Sequence, residues 1–373
     1  MKNFYRNKKC INVFTVSVTP HTFMLDHFEK LYQEGFDNIV IAGEDSFSDK
    51  LRRMTKTKHF VLRTLSFNRK FRFVNDFTSL LRILFIFYDE SPHIIIAHTP
   101  KAGFYTALLR LIYRKGLFIF FCHGMVSSKR AYGIKNKLIE ILEYYTFALS
   151  DKTFFVSKSL KKYALRKKMI KKTKAISLSG SISGIEISSN YKPRRIDKEH
   201  VRIGFLGRVC KSKGFFDCTK VCYGLAHKNI NYEFHVAGEI EDQSLIGLFF
   251  DEKIKYHGFI DEKSLFFSKI DILLILSERE GFGMSALDAS SYGVPIIGYK
   301  IIGLEDAVLN NVTGFLVKKG AVHSVIEIIK KYMHCPEIYE KHSINAYNFA
   351  LTFDKNKIID EQIGMIKRLS SIH

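Results

Sequence analysis

The chain has 373 residues, which exceeds a typical single core of roughly 100–200 residues, so two domains are expected. Hydrophobic residues at 46% and charged residues at 25% are ordinary globular values, and no run reaches the ~20 apolar residues of a bilayer span, which excludes a disordered chain and a helical membrane-spanning one. The net charge of +21 is unevenly divided: residues 1–186 carry 33 Lys and Arg against 14 Asp and Glu, whereas residues 187–373 carry 25 against 23.

The start, Met1 to Lys9, is polar and basic without an apolar segment behind it, so no secretory signal is expected and the cytoplasm is the expected compartment. Strand-like runs follow at Ile11–Val18, Ile39–Ala42, Ile94–His98, Phe118–Cys122 and Thr153–Val156. Between them Thr22–Glu34 has a helical period that stops at Gly35, and Gly103–Arg114 stops at Gly116. Short apolar runs at Ile83–Tyr88 and Leu117–Cys122 read as buried strand or helix. Alternation of this kind predicts a doubly wound parallel sheet. From Lys158 to Lys174 nine Lys and Arg occur without one acid, a surface suited to anionic lipid, nucleic acid or a pyrophosphate-bearing substrate, or simply a solvated helix face.

The turn-rich stretch Ser177–Lys198 reads as an interdomain linker. A second series of strands follows it, at Val201–Leu206, Tyr232–Ala237, Lys255–His257, Ile272–Leu276, Pro295–Gly298 and Gly314–Val317. Residues 1–186 are therefore expected to form one α/β domain and 187–354 another. Residues 355–373 carry apolar positions at helical spacing, suited to a helix that packs back, with a crossing to the first domain as one option. Six cysteines show no paired framework, and Cys218 with Cys222 lacks the second ligand pair of a zinc site, so buried free thiols and no metal site are expected.

Four strand ends in the second half open into glycine-bearing loops. After Ile203–Leu206 come Gly207 and Arg208, with Lys213 and Gly214 ahead of a helical pattern, an arrangement that sets two cations and helix N–H groups beside an anion. After Leu276 come Glu280, Gly281, Phe282 and Gly283, where a carboxylate accepts sugar hydroxyls and glycines admit close backbone approach. Asp288, about two turns along, is placed to reach ribose hydroxyls, or else is a helix acid favoured by the dipole. The ends at Gly238 and Gly258 place backbone groups around a nucleotide base.

In combination these segments resemble family-4 glycosyltransferases: G-R-x-x-x-x-K-G at Gly207–Gly214, E-x-E-G-F-G at Glu278–Gly283 and G-x-P-I-I-G at Gly293–Gly298 all match, followed by Gly303-Leu304-Glu305 and Asn311–Val317. The resemblance implies the GT-B fold, two Rossmann-like doubly wound domains facing a cleft. It also implies that Arg208 and Lys213 bind the donor diphosphate, that Glu280 contacts the donor sugar, and that Gly281–Gly283 lies against both. Asp288 stands where the family has Glu. The first half resembles, more loosely, the branch that builds capsules and O-antigens on lipid carriers, through Thr22, Ala97-His98-Thr99-Pro100 and His123-Gly124, where Met125 replaces the usual aromatic. That resemblance places His123 near the transferred sugar, and Gly180–Glu186 matches the linker, with Ser183 for Asn.

The activity so implied is a retaining, hexosyl-type transfer from a nucleotide-sugar, with a UDP-sugar as the expected donor, to a lipid-linked or oligosaccharide acceptor in surface polysaccharide synthesis. No cofactor is expected. Asp-x-Asp occurs nowhere in the chain, and the two cations substitute for a metal at the leaving group, so metal independence is expected. An anionic membrane surface is an expected partner of the basic half, on the inner face of the cytoplasmic membrane. A sugar-nucleotide epimerase or a phosphorylase on the same fold is the competing enzyme class. A nucleic-acid-binding protein is the non-enzymatic one, disfavoured because no nucleic-acid motif occurs and the glycine-bearing loops sit in the neutral half.

Overall fold

In the computed structural model the described residues are 8–67, 71–128, 133–180, 182–188 and 191–372. Most of the basic start, and Ser181 of the linker motif, lie outside them. The chain divides into two units, 1–183 with 356–373, and 184–355.

The first unit holds seven strands: β1 Lys8–Val13, β2 Phe36–Gly43, β3 Phe60–Leu65, β4 Ile94–Ala97, β5 Leu117–Cys122, β6 Lys152–Phe155 and β7 Ala175–Ser177. All pair in parallel in the order β3-β2-β1-β4-β5-β6-β7. Every residue of β4 and β5 is buried, as a parallel strand covered on both faces requires, which is why these strands are unbroken apolar runs. Its helices include α1 Leu25–Gln33, α2 Phe73–Glu90, α3 Pro100–Leu109, α4 Ile134–Leu149 and α5 Lys158–Arg166. The run Val18–Gln33 is two helices that meet at Met24, and the first strand stops at Val13. Pro100 occupies the first turn of α3, where its missing N–H costs nothing, so that helix starts ahead of Gly103. The run Ile83–Tyr88 departs from its expected burial: it lies in α2, with Phe85 at 74% and Tyr88 at 56% exposure.

The second unit holds β8 His200–Leu206, β9 Asn231–Ala237, β10 Ile254–Tyr256, β11 Ile272–Ile275, β12 Ile296–Tyr299 and β13 Gly314–Val317, parallel in the order β10-β9-β8-β11-β12-β13. Helices α6 Phe215–His227 and α7 Met284–Ser291 follow β8 and β11. One face of the sheet carries a core of Phe205, Phe215, Phe234, Tyr299 and Tyr332. The final helix, α8 Lys355–Ile372, buries Ile358, Ile359, Gln362, Ile363 and Ile366, and its Gln362 side-chain oxygen meets His27 Nε2 of α1 at 2.7 Å. All six cysteines are free thiols, five of them buried.

In both sheets the strand order reverses once, between β1 and β4 and between β8 and β11. Loops leaving neighbouring strands there diverge to opposite faces, and the crevice at the strands' carboxyl ends is where doubly wound sheets bind ligands.

Candidate active site

At the reversal in the second unit, the two diverging loops are tied to one another. The Glu278 backbone N–H donates to the Ser212 carbonyl at 3.0 Å, and Ser277 Oγ donates to the Lys213 carbonyl at 3.4 Å. Gly214 makes this approach possible: its φ is +77°, and a Cβ there would lie 2.0 Å from the Leu276 carbonyl oxygen. Gly283, at φ +95°, is the N-cap of α7, so the first N–H groups of that helix adjoin the Glu280–Phe282 loop.

Each charged candidate of the second unit has an opposite charge beside it. Lys213 Nζ donates to both carboxylate oxygens of Glu280, at 2.8 and 3.0 Å, with the Glu280 side chain only 11% exposed. Arg208 pairs with Glu241. Lys263 Nζ lies 2.8 Å from Asp288 Oδ2. Burial pushes the Asp288 carboxyl up and Lys263 opposes the shift. Asp288 sits just past the first turn of α7, nearer the helix start than its spacing from Glu280 suggested, because the helix begins only at Met284.

Further along the same edge, the Gly238 N–H donates to the Gly258 carbonyl at 2.7 Å and Tyr256 OH donates to the Gly238 carbonyl at 3.0 Å. His257 Nε2 lies 3.1 Å from His235 Nδ1, and His235 Nε2 lies 3.2 Å from Glu233. Since Glu233 can only accept, the chain of donors runs from His257 to His235 to Glu233. Burial holds both imidazoles below the usual range, so this pair is neutral and fixes the loop that carries Gly258.

The first unit repeats the device. At the ends of β4 and β5, His98 Nε2 meets Asn12 Oδ1 at 3.0 Å and His98 Nδ1 meets His123 Nε2 at 3.2 Å. With Asn12 presenting its carbonyl oxygen, His98 carries its proton on Nε2 and accepts from His123 Nε2–H. His123 Nδ1 is then a lone-pair acceptor, and it is a buried atom with no hydrogen-bond partner among the described residues. Burial lowers the His123 pKa to about 3 and holds His98 well below its ordinary value, so both rings are neutral at pH 7.

A match to the Glycosyltransferase Family 4 model spans residues 21–177, and one to the Glycosyl transferases group 1 model spans residues 187–349. The chain belongs to the family-4 glycosyltransferases. It is similar to the capsular polysaccharide biosynthesis glycosyltransferase CapM of Staphylococcus aureus, 23% identical over 353 residues and covering 90% of each chain. It is also similar to the O-antigen biosynthesis glycosyltransferase WbnH of Escherichia coli, 26% identical over 246 residues and covering 65% of this chain and 68% of that one. Among solved structures, sucrose-phosphate synthase from Thermosynechococcus elongatus superposes with a TM-score of 0.79 at 14% identity, covering 98% of this chain and 100% of that one. Anabaena Alr3699/HepE in complex with UDP and glucose superposes at 0.74 with 17% identity, covering 97% and 99%. The fold is GT-B.

Within this glycosyltransferase the candidate residues of the second unit divide by what they present. Lys213, Glu280 and the Gly281–Gly283 backbone converge at the reversal, Arg208 follows β8 on the same loop, and Gly258 belongs to the β10 end. Phe282 turns inward: its ring is 3% exposed and packs on Phe353 with centroids 5.4 Å apart, which leaves only its backbone for a ligand. Four residues were not visible as site members in the sequence. Glu241 and Lys263 are ordinary surface charges in the linear chain, and only the strand order brings them to Arg208 and Asp288. Asn12 and His98 lie 86 positions apart and meet because β1 and β4 are neighbours. The His98-Thr99-Pro100 segment was the available signal.

Proposed function

We propose that the protein is a retaining, metal-independent hexosyltransferase that moves a sugar from a nucleotide-sugar to a lipid-linked glycan in capsule or O-antigen synthesis. The observation that carries this reading is the Lys213–Glu280 pair at the strand-order reversal, a cation and a carboxylate 2.8 Å apart beside the start of α7. A diphosphate there takes charge-assisted hydrogen bonds from Lys213 and Arg208 and from backbone N–H groups, and Glu280 accepts from sugar hydroxyls. The solved complexes of Anabaena Alr3699/HepE contain UDP or UDP-glucose, which supports a UDP-sugar as donor. CapM and WbnH, by their names, support surface polysaccharide as the product class.

In the proposed step the bond from the anomeric carbon to the diphosphate oxygen breaks as positive charge develops on the sugar. Lys213 and Arg208 stabilise the departing anion. The acceptor oxygen bonds to the same face of the anomeric carbon, and its proton passes to the departing phosphate oxygen. Asp288 holds ribose hydroxyls, and the backbone around Gly258 meets the base.

The test is transfer from UDP-, GDP- and dTDP-sugars to lipid-linked acceptors, with the anomeric configuration of the product read by NMR. An α-linked product from an α-linked donor is expected. Inversion, or a free sugar-nucleotide epimer as the sole product, overturns the reading.

A further inference from the structure

Two helices of the first unit carry a stripe of large apolar residues on their outer side. On α2 the inward residues are Asp76, Ser79, Ile83 and Phe87, while Phe73, Phe77, Leu81 and Phe85 are 89%, 55%, 52% and 74% exposed. On α4 the inward residues include Glu143, Thr146 and Phe147, while Ile134, Leu138, Ile141 and Tyr145 are 91%, 55%, 44% and 51% exposed. Steps of three and four residues place each set in one stripe along its helix. A surface helix of a water-facing protein keeps polar residues on that outer side.

The buried acids fix these orientations. Asp76 accepts from Lys101 Nζ at 2.6 Å and from Tyr105 OH at 3.0 Å, both on α3, with the Asp76 and Lys101 side chains each only 6% exposed. Glu143 accepts from the Val126 N–H at 2.6 Å and from the Ser127 hydroxyl. Rotating either helix to hide its outer stripe would strip a buried carboxylate of its partners and bring Ile83 and Phe87, or Phe147, into water instead. The stripes therefore face outward as a fixed property of the fold.

They also share a face. The connections β3 to β4, β4 to β5, β5 to β6 and β6 to β7 all advance in one direction across the sheet. Right-handed crossovers accordingly place α2, α3, α4 and α5 in one layer on one side of it. The sequence that builds this layer, residues 71–174, holds 20 Lys and Arg against six Asp and Glu, of which Lys101, Asp76 and Glu143 are buried. Lys167, next to α5, reaches Glu140 of α4 at 3.7 Å, so the basic run adjoins the second apolar stripe.

We propose that the outer face of the α2–α5 layer is a docking surface for an anionic lipid bilayer, with the α2 stripe inserted at the headgroup–acyl boundary and the cations of α4 and α5 on the headgroups. An apolar aromatic stripe bordered by cations matches an interface that is apolar below and negative above. A second copy of the chain matches it less well, because a two-fold pairing of this face sets its own cations against one another. The surface was expected from the Lys158–Lys174 run alone; the structure adds the apolar stripes, and they, more than the charges, decide adhesion. The proposal concerns the first unit, and it rests on the transferase reading only for its purpose, access to a lipid-linked acceptor.

Co-sedimentation with phosphatidylcholine vesicles, with and without phosphatidylglycerol, tests it. Wild type is expected to bind the anionic vesicles, and the combined Phe77→Ser, Leu81→Ser, Phe85→Ser variant to bind about 10-fold or more weakly at low and high salt alike. These side chains are exposed, so the variant should melt like wild type. Because the sequence contains no tryptophan, Phe85→Trp is a single-site reporter whose emission should shift to shorter wavelength on vesicle addition. Equal vesicle binding by the triple variant, or an unshifted Phe85→Trp emission, overturns the proposal. So does a wild-type dimer in sedimentation velocity that the triple variant abolishes while vesicles bind neither form. UDP binding is expected to be the same in wild type and variants. Its absence in all of them, with vesicle binding as expected, would refute the donor assignment and uphold the docking surface.

Discussion

Lys213→Ala separates a phosphate-binding role from a purely structural one. In the free protein Lys213 Nζ donates to both oxygens of Glu280, whose side chain is 11% exposed. Removing the lysine leaves that carboxylate short of its cation, at a cost of about 1–3 kcal/mol in stability. Toward a diphosphate the variant loses a charge-assisted contact worth about 1.5–3 kcal/mol, which is roughly a 10- to 150-fold weaker Kd for UDP. It also leaves the Glu280 charge facing the phosphates unopposed. Two consequences can be measured by titration calorimetry. UMP, which lacks the second phosphate, should lose much less affinity than UDP. Adding Glu280→Gln to Lys213→Ala should restore part of the UDP affinity, since it removes a like charge. Equal losses for UDP and UMP, or no restoration in the double variant, would show that Lys213 only holds Glu280 in place and would refute the diphosphate assignment.

Glu280→Gln alone should keep UDP affinity within a few-fold yet lower kcat/KM with the full donor by about 10- to 150-fold, because an acceptor of sugar hydroxyls becomes in part a donor; unchanged kinetics would remove it from the site. Turnover should survive a chelator, as two cations at the leaving group allow, and its loss with recovery on magnesium or manganese would overturn the metal-independent step. His123, with a folded pKa of about 3 against ~6.5 unfolded, takes no proton where the unfolded chain does. Stability is therefore full above pH ~6.5 and falls as pH drops toward 3, by at most about 1.4 kcal/mol per pH unit from this ring, and His123→Gln should flatten that slope in urea titrations at pH 5–7. Lys101→Met strands Asp76, 6% exposed, and should cost about 3–5 kcal/mol; a melting temperature like that of wild type would deny the ion pair its role in holding α2.

The strand ends of the second unit were readable because its motifs are local: Gly207–Gly214 and Glu278–Gly283 each fit within eight residues of a strand end, and the reversal of strand order then brings them together. The ion pairs were not readable, since Glu241 and Lys263 gain meaning only from the β10-β9-β8-β11 order. Strand β3 reads FVLRTL with an exposed Val61 and an intermediate Leu62, an edge strand that lacks the apolar run of its neighbours. The short edge strand β7, Ala175–Ser177, carries no pattern at all. The exposure of α2 was hidden for the opposite reason. Its apolar residues follow one another almost without interruption, and a buried strand or helix at Ile83–Tyr88 is the natural reading until the Asp76–Lys101 pair shows which side faces in.

The return of the chain at α8 has a consequence for biosynthesis. His27 and the Ile182 carbonyl are completed by Gln362, yet residues 184–355 of the other unit are made in between. At ribosomal rates of about 5–20 residues per second, α1 waits roughly 15 to 70 s for its covering helix, while the second unit already has all its strands. The first unit to emerge is thus the last to be finished, and through that interval its partly covered surface is open to chaperones and to premature association.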